Sequence, residues 1–423
     1  MNVRNRIDKA IGALLSIQRD DKGIPATSFS SKSGVWTTAD VLESILTSKS
    51  GFQYPISKVE GLLEFILDSR YKQEELIGSW PLFRNNNKSP STMATGHALS
   101  ALLKCSSFFD NHSRKEEINI VIKEGFDWLE KSQNNDGGWG VQPKSSEFGV
   151  NSAVISTLYA LRAYYSGNKN YRDSNAVRNG IDYLINAQNT NGSWGSRVGQ
   201  KGDVTNIARS IFAIVKSGCN NSDNAIKKGI SFIKINKSQS HGLWDIEADR
   251  FDLEDASAQV IYNRNVNCDV LNAFTVTQKE KKLSIEIIDF LLHSQNDNGL
   301  WSLSSPKEKI DDIVTWSTAE WVRSVDSSYW TIYSQYEKTL SLPRMCKICC
   351  SLSLIILVIY LKDDIIIRWN LLDDIDKNFI QYTVLGTIVL GFIGNLLTDW
   401  IKAFFKKNII WKNLIKKKKN GWN

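Results

Sequence analysis

Residues 133–139 read Gln-Asn-Asn-Asp-Gly-Gly-Trp, and the frame returns at 188–194 as Gln-Asn-Thr-Asn-Gly-Ser-Trp and at 295–301 as Gln-Asn-Asp-Asn-Gly-Leu-Trp. Gln, Gly and Trp stand at i, i+4 and i+6 in all three. Looser copies extend the series: Gln239 to Trp244 is one residue shorter, and Gly34-Val-Trp36 and Gly78-Ser-Trp80 follow insertions. Six Gly-x-Trp units result, with Trp spacings of 44, 59, 55, 50 and 57 residues. A recurring period of this size marks a repeat architecture and overrides any domain count taken from length.

The unit around Trp194 shows what repeats. Ile181, Leu184 and Ile185 precede the motif with helical spacing. Asn189-Thr-Asn-Gly192 then ends that helix, since Asn and Gly accept the left-handed conformation of a helix C-terminus. The run from Thr205 to Val215 forms a second, more apolar helix. Six units of two helices predict twelve helices over residues 6 to about 338. The Gln and Trp need no chemical role: a Trp just past a helix end packs over the hairpin, while its indole N–H and the Gln amide satisfy helix-end carbonyls.

The motif resembles the QW repeat of squalene–hopene and oxidosqualene cyclases, and the hairpin layout is similar to that of protein prenyltransferase β-subunits. The resemblance implies an all-α fold, a single (α/α)6 toroid with inner helices around a cavity and outer helices around them. Prenyltransferases hold zinc through Asp, Cys and His. This chain has four His, namely His97, His112, His241 and His293, and no Asp-x-Cys at the expected place, so no metal or cofactor is expected.

Class II terpenoid cyclases carry Asp-x-Asp-Asp-Thr-Ala at the start of an inner helix, and Asp252-Leu-Glu254-Asp255-Ala-Ser resembles it, with Glu at the position of the proton donor. The resemblance makes Glu254 the acid and Asp252 and Asp255 its orienting partners. Acidic residues also favour the first turn of any helix, where they complement its dipole. Asp311 and Asp312 hold the equivalent place in the sixth repeat and are alternative acids. Phe212, Tyr262, Trp316 and Trp321, on the expected inner helices, are candidates to line a pocket for a carbocation shielded from water.

The formal charge of +7 belongs to the C-terminal segment. From residue 341 onward there are 13 Lys and Arg against 6 Asp, leaving 39 basic and 39 acidic side chains before it. A nucleic-acid face is therefore not expected on the repeat domain, 1–340. Residues 345–361 and 379–397 are apolar enough to form a transmembrane hairpin within 341–399, joined by a segment with five Asp. The tail, 400–423, has eight Lys interleaved with Phe, Ile and Trp, as in an interfacial helix. Positive charge stays cytosolic, so the ring and tail are expected on the cytosolic side of a two-span membrane protein. Cysteines at 105, 219, 268, 346, 349 and 350 show no disulfide framework.

Two functions fit this reading. One is a membrane-anchored class II cyclase-like isomerase that protonates an isoprenoid taken from the bilayer. The other is a non-catalytic ring that binds a protein or lipid ligand, or a second copy of itself, and acts through its transmembrane hairpin.

Overall fold

The computed structural model of the chain describes residues 3–27, 30–49, 54–84, 89–109, 113–146, 149–218, 223–238, 243–244, 247–252, 259–264, 266–301 and 315–332. Among them, outer helices alternate with inner ones. The outer helices are α1 (Val3–Ser16), α3 (Ile56–Asp68), α5 (Lys115–Ser132), α8 (Asn175–Asn186), α10 (Asp223–Ile235) and α12 (Lys281–His293). The inner helices are α2 (Val35–Thr47), α4 (Thr92–Phe108), α6 (Val154–Ser166), α9 (Val204–Lys216), α11 (Asn267–Thr277) and α13 (315–332). A single-turn helix α7 (Lys169–Arg172) follows α6.

Outer helices are amphipathic because only one face meets protein. In α8, Val177, Ile181 and Leu184 are buried at helical spacing, and the Ser174 hydroxyl caps the N-terminus by accepting from the Val177 amide at 3.3 Å. Inner helices are enclosed nearly all round: α4 buries every residue from Ala94 to Leu102. Each inner helix packs on the next, α2 on α4, α4 on α6, α6 on α9 and α9 on α11. Asn272 of α11 donates to Ser324 of α13 at 2.8 Å, and Ser44 of α2 donates to the Ala319 carbonyl of α13 at 2.9 Å, which closes the inner ring.

The Gly-x-Trp turns hold the two rings together. The indole N–H groups of Trp80, Trp139, Trp194, Trp244 and Trp301 donate at 2.6–2.8 Å to the carbonyls of Ile66, Leu129, Leu184, Ile233 and Leu291, each in the last turn of the preceding outer helix. These carbonyls lie in the last turn, where a helix lacks its own donors, and the indole supplies one; Ile66 and Leu291 also accept from Ser69 and Ser294. Gly192 sits at φ +88°, a left-handed geometry that strains any residue with a Cβ. Gly180 of α8 lets Trp139 approach the helix, since a Cβ there would lie 2.8 Å from the indole.

The Gln of the motif stitches neighbouring outer helices. Gln133 donates to the Gly137 carbonyl of its own turn and to Ala176 of α8, and Gln188 donates to Gly192 and to Ala225 of α10. Gln295 donates to Gly299 and to Arg6 of α1, closing the outer ring.

The first repeat departs from expectation. Val35 and Trp36 lie inside α2, so Gly34-Val-Trp36 is not its turn. Gln18, Lys22 and Ile24 take the Gln, Gly and Trp places at the same i, i+4, i+6 spacing. Gln18 donates to the Lys22 and Lys58 carbonyls, and Lys22 has φ +69° where later repeats have Gly. Only Gln survives of the three signature residues, which hides this turn from a motif scan.

Two short hairpins interrupt the helices. Strands β1 (Ile24–Pro25) and β2 (Ser33–Gly34) pair, as do β3 (Glu247–Asp252) and β4 (Gln259–Arg264), both antiparallel. No described helix is long and apolar enough to cross a membrane, and the segments 345–361, 379–397 and 400–423 lie outside the described residues.

Candidate functional site

The turns also set which residues face the ring axis. The backbone N–H of Trp80, Trp139 and Trp301 donates to Thr95, Thr157 and Thr318 near the start of the following inner helix, and Ile24 does the same to Thr38. In the fifth repeat Asn267 takes the Thr place, with its Oδ1 at 3.4 Å from the Trp244 amide. Two residues further on stand Asp40, His97, Tyr159, Asp269 and Glu320, and Arg209 of α9 bonds into the same layer. One turn earlier, on the same face, come Trp36, Met93, Ile155, Thr205 and Trp316. Three residues later come Glu43, Ser100, Arg162, Phe212, Asn272 and Arg323.

The polar layers form two linked clusters. In the first, Arg162 reaches from α6 past α4 to Asp40 of α2 at 2.7 Å and to Glu43, while Arg323 of α13 bonds Asp40 at 3.0 Å. His97 Nδ1 lies 2.7 Å from Asp40. Arg162 Nη1 lies 2.8 Å from the same Nδ1 and 3.4 Å from Nε2, so the His97 tautomer sets which of these contacts is a hydrogen bond. In the second, Arg209 Nε donates to Asp269 at 2.9 Å, Nη2 to Glu320 at 3.1 Å and Nη1 to the Tyr159 hydroxyl at 3.2 Å. The His97 and Tyr159 rings, with centroids 5.1 Å apart, join the clusters.

Several of these groups sit deep in the ring yet keep some accessible surface. The side chains of Arg162, Arg209, Glu320 and Arg323 are 12–18 % exposed, so the clusters along the ring axis are not fully sealed. Asp40 and Asp269 are 5 % and 3 % exposed.

The two clusters hold their protons differently. Burial would raise the Asp40 and Glu43 carboxyls, but the Arg162 and Arg323 guanidinium groups outweigh it, holding Asp40 well below the carboxylate range and Glu43 at about 2. Burial, then the charge of Arg162, lowers His97 and keeps it neutral, against the opposing pull of Asp40. For Asp269 burial dominates: Arg209 favours the ionised form, yet desolvation together with the neighbouring Glu320 holds the carboxyl well above its usual value. Asp269 thus holds its proton more tightly than an ordinary Asp, beside a guanidinium that would stabilise its conjugate base.

Above this belt the lumen turns apolar. Trp36 lies 6.1 Å from Trp316 and 6.1 Å from His97, and Met93 and Ile155 continue the collar around that mouth.

The sequence-predicted residues fare unevenly. Phe212 of α9 and Trp316 of α13 lie on the same helix stripes as Arg209 and Glu320. Trp321 does not: it is 1 % exposed and stacks on Trp301, in the layer between inner and outer helices. Asp252 ends strand β3 opposite Gln259, and Tyr262 lies in β4 opposite Asp249, so neither is on an inner helix. Gln259-Val-Ile-Tyr is rich in β-branched and aromatic residues, which suit a strand. The inner helix begins at Asn267, and its first-turn acid is Asp269. Glu254, Asp255, Asp311 and Asp312 lie outside the described residues.

None of the acids and bases of the belt was predicted. A signal for them exists: α2, α6, α9 and α13 are apolar helices that each carry charged residues on one stripe, Asp40 and Glu43, Arg162, Arg209, and Glu320 and Arg323. Charges at such positions are rarely fully buried unless paired.

The squalene-hopene cyclase C-terminal domain family matches residues 35–202, from α2 through the Trp194 turn. That stretch is similar to the terpenoid cyclases, whose toroid this chain resembles. The lanosterol synthase of Saccharomyces cerevisiae is 27 % identical over 169 residues, 38 % of this chain and 22 % of that protein. A probable squalene–hopene cyclase of Sinorhizobium fredii is 23 % identical over 240 residues, 53 % of this chain and 36 % of its own length. The chain thus spans only about a fifth to a third of these curated relatives.

Among solved structures, the type II terpene cyclase MstE from Scytonema superposes with a TM-score of 0.50 at 15 % identity, over 77 % of this chain and 98 % of that one. The α-1,6-mannanase of Salegentibacter gives 0.56 at 12 % identity, over 78 % and 100 %. One toroid fold therefore serves unrelated chemistries, and the reaction must be argued from the site.

Proposed function

We propose that the lumen of this cyclase-like toroid is an acid-initiated isomerase site for an isoprenoid alkene, with Asp269 as proton donor. The observation that carries the reading is the buried Asp269 carboxyl, whose burial favours its protonated form, on the belt beside Arg209 and next to an apolar collar headed by Trp36 and Trp316. Transfer of its proton to an alkene carbon leaves a carboxylate met by Arg209 at 2.9 Å and a carbocation faced by the indoles. Loss of a neighbouring C–H proton back to the site restores the acid, so the net reaction is an isomerisation. A hydrocarbon substrate fits a protein anchored by segments 345–361 and 379–397, whose hydropathy and Lys-rich flank support a membrane location on the cytosolic side.

The test incubates membranes carrying the full chain with a panel of isoprenoids and examines products by mass spectrometry. Wild type is expected to form an isomer that Asp269→Asn does not. An isomer formed equally by the variant would refute the assignment.

One observation favours a second reading, a ligand-binding ring without catalysis. Arg162 and Arg209 tie together inner helices that are not neighbours, and the belt at mid-lumen is charged rather than aromatic. A ligand that raises the melting temperature without being converted would support it.

A further inference from the structure

At the end of the lumen opposite the Trp collar, the axial stripe becomes cationic. Seven residues past His97 and Arg209, two helical turns along the same face, stand Lys104 of α4 and Lys216 of α9. Between them, on α6, the equivalent residue is Ser166, whose hydroxyl shares a 2.8 Å hydrogen bond with Ser100 of the lumen stripe. Arg172 ends helix α7, which packs against α6. Among the described residues, the side chains of Lys104, Arg172 and Lys216 enter no ion pair, in contrast to the fully paired arginines of the belt.

The geometry suits a small anion. Neighbouring packed helices lie about 8–10 Å apart, so α4 and α9, which flank α6 in a ring of six, are roughly 16 Å apart. Lysine side chains directed inward from both helices can therefore meet a single anion between them. The Lys216 ammonium lies over the Phe212 ring at 5.6 Å, one helical turn back along the same face, while the residue stays exposed to an incoming ligand. Burial, and then the like charges of Lys104 and Arg172, lower the Lys216 pKa. An uncompensated cluster of this kind gains by taking up negative charge.

We infer that Lys104, Lys216 and Arg172, with the Ser166 hydroxyl, form a binding site for a phosphate-bearing anion at this mouth of the ring. It lies two helical turns, about 10 Å, from the Asp269 layer and stands independently of any reaction there. The phosphate belongs either to a free anion or to a phospholipid headgroup, since both present the same oxygens to the same cations.

The test is isothermal titration calorimetry of the full chain at low salt with sodium diphosphate, and separately with dihexanoyl phosphatidic acid below its micelle concentration. Wild type is expected to bind at least one of them, more weakly as salt rises. Lys104→Gln and Lys216→Gln are each expected to weaken it roughly tenfold, the loss of one charge-assisted hydrogen bond, with Lys123→Gln on the outer surface as a neutral control. Tighter binding of diphosphate identifies a free anion as the source, and tighter binding of the lipid a headgroup. Removing one of several repelling cations should not unfold the protein, and Arg172→Gln, at an exposed site, gives an independent check. Wild type binding neither probe at millimolar concentration, or the Lys104/Lys216 double variant binding like wild type, would overturn the inference.

Discussion

The side-chain amide of Gln295 donates to the carbonyl of Arg6 at 2.9 Å, joining the last outer helix to the first across 289 residues of chain. Arg6 returns a hydrogen bond from its guanidinium to the Gln295 oxygen at 3.1 Å. Ring closure thus uses the same device that links neighbouring repeats elsewhere. Gln295→Ala removes the bonds to the Arg6 and Gly299 carbonyls and is expected to destabilise the protein by about 2 kcal/mol. Gln18→Ala, at a more exposed turn, should cost less. Urea denaturation of the two variants measures the difference, and equal effects would show that closure has no special weight.

Arg162→Ala removes the guanidinium between Asp40 and Glu43 and leaves two buried carboxylates short of a partner. The expected loss is about 3–5 kcal/mol, the range for breaking a buried ion pair from one side. The pH dependence has a definite sign. The folded-state pKa values of Asp40 and Glu43 are depressed, so their contribution is present above the unfolded values, 3.8 and 4.5, and is lost as pH falls toward the folded value of about 2 for Glu43. Wild type should therefore lose stability through that window, and Arg162→Ala should lose much less. Parallel slopes for the two proteins would count against this account of the cluster.

Asp269 runs the other way. Its folded pKa is raised, so its contribution to stability is fully present below the unfolded value of 3.8 and declines as pH rises toward the folded pKa. Asp269→Asn, which cannot ionise, should gain on wild type as pH rises through that range. Infrared spectroscopy should show a protonated carboxyl band at neutral pH that the variant lacks. A carboxylate band alone in wild type would remove the basis for Asp269 as an acid.

The tryptophans should separate by layer. Trp301 is 3 % exposed and its indole satisfies the Leu291 carbonyl, so Trp301→Ala is expected to cost about 3–5 kcal/mol. Trp316 borders the lumen beside Trp36, so Trp316→Ala should cost less stability and weaken binding of any apolar ligand more. Thermal melts with and without an isoprenoid alcohol distinguish the two effects, and the reverse ranking would place Trp316 in the core.

Sequence pattern reached the architecture because the repeat unit is local. Gln188, Gly192 and Trp194 act within one helix end and the turn that follows it, so their spacing alone specifies the hairpin. Where the same turn is built from Gln18, Lys22 and Ile24, the backbone does the work and the side-chain signature is absent, so the first repeat was misplaced at Trp36. The acidic stretch at Asp252 misled for a related reason: it follows a Gly-x-Trp turn as an inner helix should, but a β-hairpin intervenes before α11.

By itself, then, the sequence determined a six-fold succession of helical hairpins, because helix periodicity and turn chemistry are written in residues a few positions apart. The partners across the lumen were decided by tertiary structure alone. Arg209 lies 60 residues from Asp269 and 111 from Glu320, and Arg162 lies 122 from Asp40. Whether each of these charges is paired, neutral or left to bind something else depends on burial and on neighbours from other helices, and those exist only once the ring has closed.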